Sequence, residues 1–260
     1  VIASTLEQMA FEVRNLQRTE VHEVEEAFGK SSNVCFAKLA VEHYGQSMED
    51  EMTFVSRITN MKIGEKFNLE LEGEGYSTIY TPNDTKMWSK VSLPMMAIGY
   101  GMLITPLHTL TFYNAIANDG KMMKPYFIES YEQDGEIKEG FKPQVISGAI
   151  CSKNTVTQVK RALRHVVEKG TASRYNDPRY EFSGKTGTAQ NRGKDHSAFI
   201  GFAPKDDPKI AIAVYVENGG FGATYAVPIG ALMIEKDAYS GRNDGLVSLI
   251  KDESIQESIQ

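Results

Sequence analysis

A chain of 260 residues with 41% apolar and 24% charged side chains and a mean hydropathy of -0.33 can bury one large domain, or one domain and a small lobe. These values exclude a disordered or bilayer-embedded chain. The net charge of -6, from 34 acidic against 28 basic residues, leaves no basic excess to neutralise phosphates and argues against nucleic acid as a partner.

In chain order, residues 1–30 are helix-prone, and the acidic run Glu20, Glu23, Glu25, Glu26 reads as a solvated face. Ser31, Ser32 and Asn33 then precede an apolar-periodic segment, 34–44, that stops at Gly45. That pattern predicts a helix burying Val34, Ala37, Val41 and Tyr44. Residues 60–90 read as irregular, punctuated by Gly64, Gly73, Gly75 and Pro82 up to the only tryptophan, Trp88. The most apolar stretch, 93–110, is broken by Pro94, Gly99, Gly101, Pro106 and His108, so it cannot span a membrane as a helix. A second helix is predicted over 105–118, with Pro106 in its first turn and Gly120 beyond its end. Strands and turns are expected over 121–150. A third, amphipathic helix over 152–169 turns Val156, Val159, Leu163, Val166 and Val167 inward and stops at Gly170.

Residues 180–190, 197–203 and 209–217 are three strand candidates, joined by turn-rich segments short enough for antiparallel hairpins. The near-continuous apolar run at 210–216 predicts a central strand. A helix over 227–236 follows, and the tail from Asp237 reads as a loose terminus. The fold class is α/β (α+β), an antiparallel sheet flanked by helices. Two cysteines, Cys35 and Cys151, make neither a disulfide framework nor a metal site, and Cys35 is expected to be a small buried hydrophobe.

The chemistry concentrates in two places. Lys185, Thr186, Gly187 and Thr188 set a cation beside two hydroxyls on a strand that glycine lets a ligand approach. Such a strand suits a substrate carboxylate, and its backbone N–H can serve a developing oxyanion. Ser31 and Asn33 form a Ser-x-Asn at a helix start, which taken alone would be a capping pair. Gly184-Lys185-Thr186 also looks like the end of a phosphate-binding loop. Arg179 stands where that loop needs glycine, however, and no amphipathic helix follows. The five histidines are scattered, so neither a metal nor a cofactor is expected.

Ser-x-Asn followed by Lys-Thr-Gly-Thr resembles the second and third motifs of the penicillin-recognising serine transferases. The blocks KSSNVCFAKL (30–39), AIGYGMLITPL (97–107), YNAIANDG (113–120), GTA (170–172), 183–190 and SAFIGFAP (197–204) resemble the transpeptidase domain of class B penicillin-binding proteins, in the family's order. The resemblance covers about residues 20–235. It implies the fold shared with serine β-lactamases and a D,D-transpeptidase that cross-links peptidoglycan stem peptides ending in D-Ala-D-Ala through a serine acyl-enzyme. By the same resemblance Ser31 relays a proton to the leaving amine, and Asn33 orients it and bonds the substrate amide. Lys185 sets the electrostatics of the pocket, Thr186, Gly187 and Thr188 receive the carboxylate, and the Thr188 N–H forms half of the oxyanion hole. β-Lactams would acylate the same serine. Implied too are other cell-wall synthesis proteins as partners and a place on the extracytoplasmic face of the bacterial membrane, through an anchor outside this chain.

The first family motif, Ser-x-x-Lys, is not found ahead of Ser31. Ser4 is its nearest candidate, with Glu7 in place of the lysine and Ala3 in place of the preceding glycine. The one literal match, Ser248 to Lys251, lies in the tail, in the wrong order. The expectation is therefore a remnant of the first-motif region at 1–30, a transpeptidase domain at 31–236 and a tail at 237–260, with the nucleophile segment missing or altered. Two other readings stay open: a non-catalytic peptidoglycan- or partner-binding module on the same fold, and a β-lactamase or β-lactam sensor. The blocks at 113–120 and 170–172 favour the transpeptidase over the last of these.

Overall fold

The computed structural model describes residues 24–190 and 193–240. Ser4, Glu20 and Glu23 of the acidic run, and residues 241–260 lie outside the described residues. The chain enters through α1 (Val24–Gly29), α2 (Asn33–Tyr44) and α3 (Met48–Asn60). A largely irregular stretch follows, in which β1 (Thr78–Ile79) pairs with β2 (Met102–Leu103) around α4 (Ser92–Ala97). Next come α5 (Pro106–Ala117), β3 (Met122–Met123), the hairpin of β4 (Ser130–Gln133) and β5 (Glu136–Gly140), and β6 (Val145–Ser147), which pairs with β3. After α6 (Lys153–Glu168), the strands β7 (Ser183–Ala189), β8 (His196–Ala203) and β9 (Ile210–Val216) form an antiparallel sheet in that order, closed by α7 (Gly222–Ser240).

The helix ends follow from local chemistry. Ser32, Thr105 and Ser152 cap α2, α5 and α6 by accepting the N–H of Cys35 (3.4 Å), His108 (3.2 Å) and Thr155 (3.1 Å). Each cap satisfies a donor that the first helical turn leaves open. Ser47 does the same for α3, accepting from Asp50 at 3.1 Å, and Glu49, Asp50 and Glu51 suit the positive helix terminus.

The sheet is buried on both faces. On one side Phe199, Ile212 and Val214 pack with Val166, Val167, Val227 and Ile234. On the other, Phe202 packs with Ala115, Ile116, Met122 and Leu163. Gly184 is required by this packing, since a Cβ there would stand 2.6 Å from both the Ile200 carbonyl and the Phe199 ring. Arg164 ties α6 to the foot of β7, donating to the Phe182 carbonyl at 2.7 Å and to Asn176 Oδ1 at 2.8 Å. Buried His108 pins the irregular stretch to α5: its ring stacks 4.3 Å from Phe67, and Nε2 lies 2.8 Å from the Glu65 carbonyl.

Several sequence expectations need correction. Among the described residues β8, and not the run 210–216, is the strand paired on both edges. Helices α5 and α7 pack against β9, which accounts for its apolar run. Residues 180–182 are not strand: Glu181 adopts φ 41° and β7 starts at Ser183. Val41 is 42% exposed, and Ala40 takes its place in the buried face of α2. Cys35 is half-buried, not buried. The last helix starts earlier than Val227 and carries Pro228 inside it, where Ala226 and Val227 pack in the core. It also runs on to Ser240, past the expected start of the tail.

Candidate active site

Two corners of the backbone build the site. At the first, α1 ends and α2 begins within three residues, with Ser31 turning the chain at φ 58°. A left-handed conformation costs a non-glycine residue of order 1–3 kcal/mol, and such positions cluster at functional sites. Ser32 takes the capping role, so Ser31 is free to present its hydroxyl, and exposed Asn33 sits on the first turn of α2. At the second corner α6 stops at Gly170, and the Thr171 N–H donates to the Gly29 carbonyl at 3.1 Å. The corners meet backbone to backbone: a Cβ on Gly170 would lie 2.9 Å from the Gly29 carbonyl carbon.

β7 supplies the facing wall. Lys185 Nζ donates to Ser31 Oγ at 2.5 Å across 154 positions of sequence, and to the Thr186 carbonyl at 3.0 Å. The ammonium lies 5.7 Å from the centroid of the Phe28 ring. Burial lowers its pKa from 10.5 to about 8, because the charged form loses hydration there. Among the described residues no carboxylate pairs with it, so its charge is available to a ligand. Thr186 Oγ1 lies 2.7 Å from Thr171 Oγ1, and Thr188 Oγ1 accepts the Gly222 N–H at 3.2 Å.

Ser31, Asn33, Lys185, Thr186, Gly187 and Thr188 line one cleft of about 590 Å³, a size suited to a small peptide or drug-sized ligand. Its remaining walls include Phe36, Tyr100, Tyr113 and Phe221. Burial, with Tyr215 nearby, pushes the Tyr113 phenol up, so it faces the cleft as a neutral hydroxyl. The sequence offered no role for Thr171, Phe28 or Gly222. Thr171 belongs to the GTA block, but nothing local in that block says that it will face Thr186. Ser4 lies outside the described residues, so no distance relates it to this cleft. Among the described residues no cluster of three or more His, Cys, Asp or Glu could hold a metal ion, and no helix is long and apolar enough to cross a membrane.

Residues 6–235 match the family described as the penicillin binding protein transpeptidase domain. The chain is 31% identical over 199 residues to the stage V sporulation protein D of Bacillus subtilis, covering 71% of this chain and 30% of that protein. Against the peptidoglycan D,D-transpeptidase MrdA of Acinetobacter baumannii it is 30% identical over 193 residues, covering 63% of this chain and 28% of that one. It thus spans less than a third of the length of these relatives. Among solved structures it is similar to the D,D-transpeptidase domain of a peptidoglycan glycosyltransferase from Eggerthella lenta. That match has a TM-score of 0.72 at 26% identity and covers 85% of this chain and 54% of that chain. It is also similar to the ceftriaxone acyl-enzyme complex of penicillin-binding protein A from Mycobacterium tuberculosis. There the TM-score is 0.67 at 26% identity, covering 82% of this chain and 48% of that chain.

Proposed function

The chain belongs to the family of penicillin-binding protein transpeptidase domains, and from that membership we propose that its cleft binds the D-Ala-D-Ala end of a peptidoglycan stem peptide for D,D-transpeptidation. The observation that carries this reading is the 2.5 Å contact between Lys185 and Ser31 in a cleft also lined by Asn33, Thr186, Gly187 and Thr188. The substrate carboxylate is received by the Lys185 charge and the hydroxyls of Thr186 and Thr188. A serine hydroxyl attacks the carbonyl of the penultimate D-Ala. Its proton passes to the leaving D-Ala nitrogen through Ser31, while Asn33 bonds the substrate amide and orients the exchange. The Thr188 N–H faces the oxyanion that forms, a kind of donor worth ~3 kcal/mol of transition-state stabilisation. The amino group of a second peptide then displaces the serine, releasing it with its proton restored and leaving the cross-link. Ser4, the nearest match to the family's first motif in this sequence, is the candidate it offers for the acylating position. The whole protein would work on the extracytoplasmic face of the membrane, alongside other cell-wall synthesis proteins.

Fluorescent penicillin tests the reading. The full-length gene product is expected to carry a label that survives denaturation. No label would overturn the enzyme and leave a peptidoglycan-binding module on the same fold.

The charge on Lys185 sets the pH dependence. Protonated Lys185 donates to Ser31, which leaves the Ser31 proton directed at the leaving nitrogen and holds the carboxylate. With its pKa at about 8, the second-order labelling rate should fall as pH rises through that value. A stopped-flow series across about two pH units on either side measures it. A rate that keeps climbing through pH 8 would make neutral Lys185 a base and overturn this assignment.

A further inference from the structure

The hydroxyls of Thr171 and Thr186 lie 2.7 Å apart, and either can be the donor. A bound carboxylate removes that freedom, because it only accepts. Thr186 must then spend its one proton on the ligand and can only accept from Thr171. The result is a directed chain, from the Thr171 O–H to Thr186 Oγ1 and from the Thr186 O–H to the carboxylate, in which each bond polarises the next. Thr171 is well fixed for this. Its N–H is held by the Gly29 carbonyl at 3.1 Å, it follows the Gly170 stop of α6, and it lines the same cleft as Thr186.

We propose that Thr171 is a positioning residue for carboxylate recognition: it donates to Thr186 and so orients the Thr186 proton toward the C-terminal carboxylate of the substrate. The inference rests on the carboxylate-binding reading above and assigns the third hydroxyl of this wall, on a different element from the strand that carries the other two threonines. Because Thr171 is also bonded to Gly29, two positions before Ser31, the same residue sets the carboxylate wall in register with the proton relay. Thr171 itself does not touch the substrate.

The test compares non-covalent binding of an N-acylated D-Ala-D-Ala peptide with that of its C-terminal carboxamide, by NMR titration of this chain, which needs no acylation step. The parent is expected to prefer the acid. Thr171→Val keeps the shape but removes the donor, and should cut that preference about five- to tenfold while leaving carboxamide affinity unchanged. Thr171→Ser should retain the preference. Thr171→Ala carries the same expectation as valine should the valine variant not fold. A merely structural role would weaken acid and carboxamide alike, and that outcome overturns the proposal. So does an unchanged preference in Thr171→Val beside a parent that shows one, which leaves the carboxylate site itself standing. A parent that does not distinguish acid from carboxamide overturns the carboxylate reading and this inference with it.

Discussion

Lys185→Met in the full-length protein is expected to lower β-lactam labelling by a factor on the order of 100 or more while leaving the domain at least as stable as its parent. On the proposed reading, the activity loss follows from removing both the charge offered to the carboxylate and the donor to Ser31. The stability follows from the sign of the pKa shift. Lys185 titrates at about 8 in the fold against 10.5 ordinarily, so between those values the unfolded chain holds a proton that the folded chain has released. Stability therefore rises with pH through that window, and below pH 8 the folded state bears the full cost of a half-buried charge, ~3 kcal/mol. Methionine removes that cost and keeps an apolar contact over Phe28. Ser31 is exposed, so water replaces its lost partner. Thermal melts and labelling gels of the same samples check both halves. A methionine variant that still labels sinks the site assignment, and one that melts far below the parent makes Lys185 a core residue.

Gly170→Ala should damage both fold and function although it adds a single methyl. Its Cβ would stand against the Gly29 carbonyl oxygen, 2.9 Å from the Gly29 carbonyl carbon and 2.8 Å from the Val166 Cα. These are backbone atoms that no rotamer change can move, so one corner must shift. Overpacking of this kind costs ~1–3 kcal/mol, which in a domain this size is a fall of roughly 2–12 °C in melting temperature. The corner that moves carries Ser31, and a displacement of ~1 Å near reacting groups can cost ~100-fold in rate. A labelling rate unchanged beside a lowered melting temperature would show that the two corners are coupled for stability alone.

What the sequence revealed depended on how local the signal was. The caps Thr105 and Ser152, and Gly45 and Gly170 as stops, act within a few residues of themselves, so α2, α5 and α6 were legible nearly to their ends. α3 was not, although its Ser47–Asp50 cap was there to find: only Val55 of this helix is buried, which leaves little periodicity to see. β9 was legible as a strand because its apolar run reports faces covered by α5 and α7, whereas paired edges leave no such mark in sequence. At the cleft, Ser31 and Lys185 were found because each sits in a compact motif. Which serine of the Ser31-Ser32 pair is the cap and which faces Lys185 is decided by φ at the corner, and that emerges only in three dimensions. Phe28 and Thr171 owe their places wholly to packing between α1, α6 and β7.

The bond from Lys185 to Ser31 closes a loop of 154 positions. Long loops are entropically expensive to close, though the expense grows only slowly with length, and contacts of this range are expected to form late in folding. The sheet and α6 can assemble from nearby segments, but the cleft cannot exist until the α1–α2 corner has docked on them. Circular dichroism therefore reports a chain that has acquired its secondary structure, whereas on the proposed function penicillin labelling would report one that has finished folding. In a refolding time course the second signal should lag behind the first.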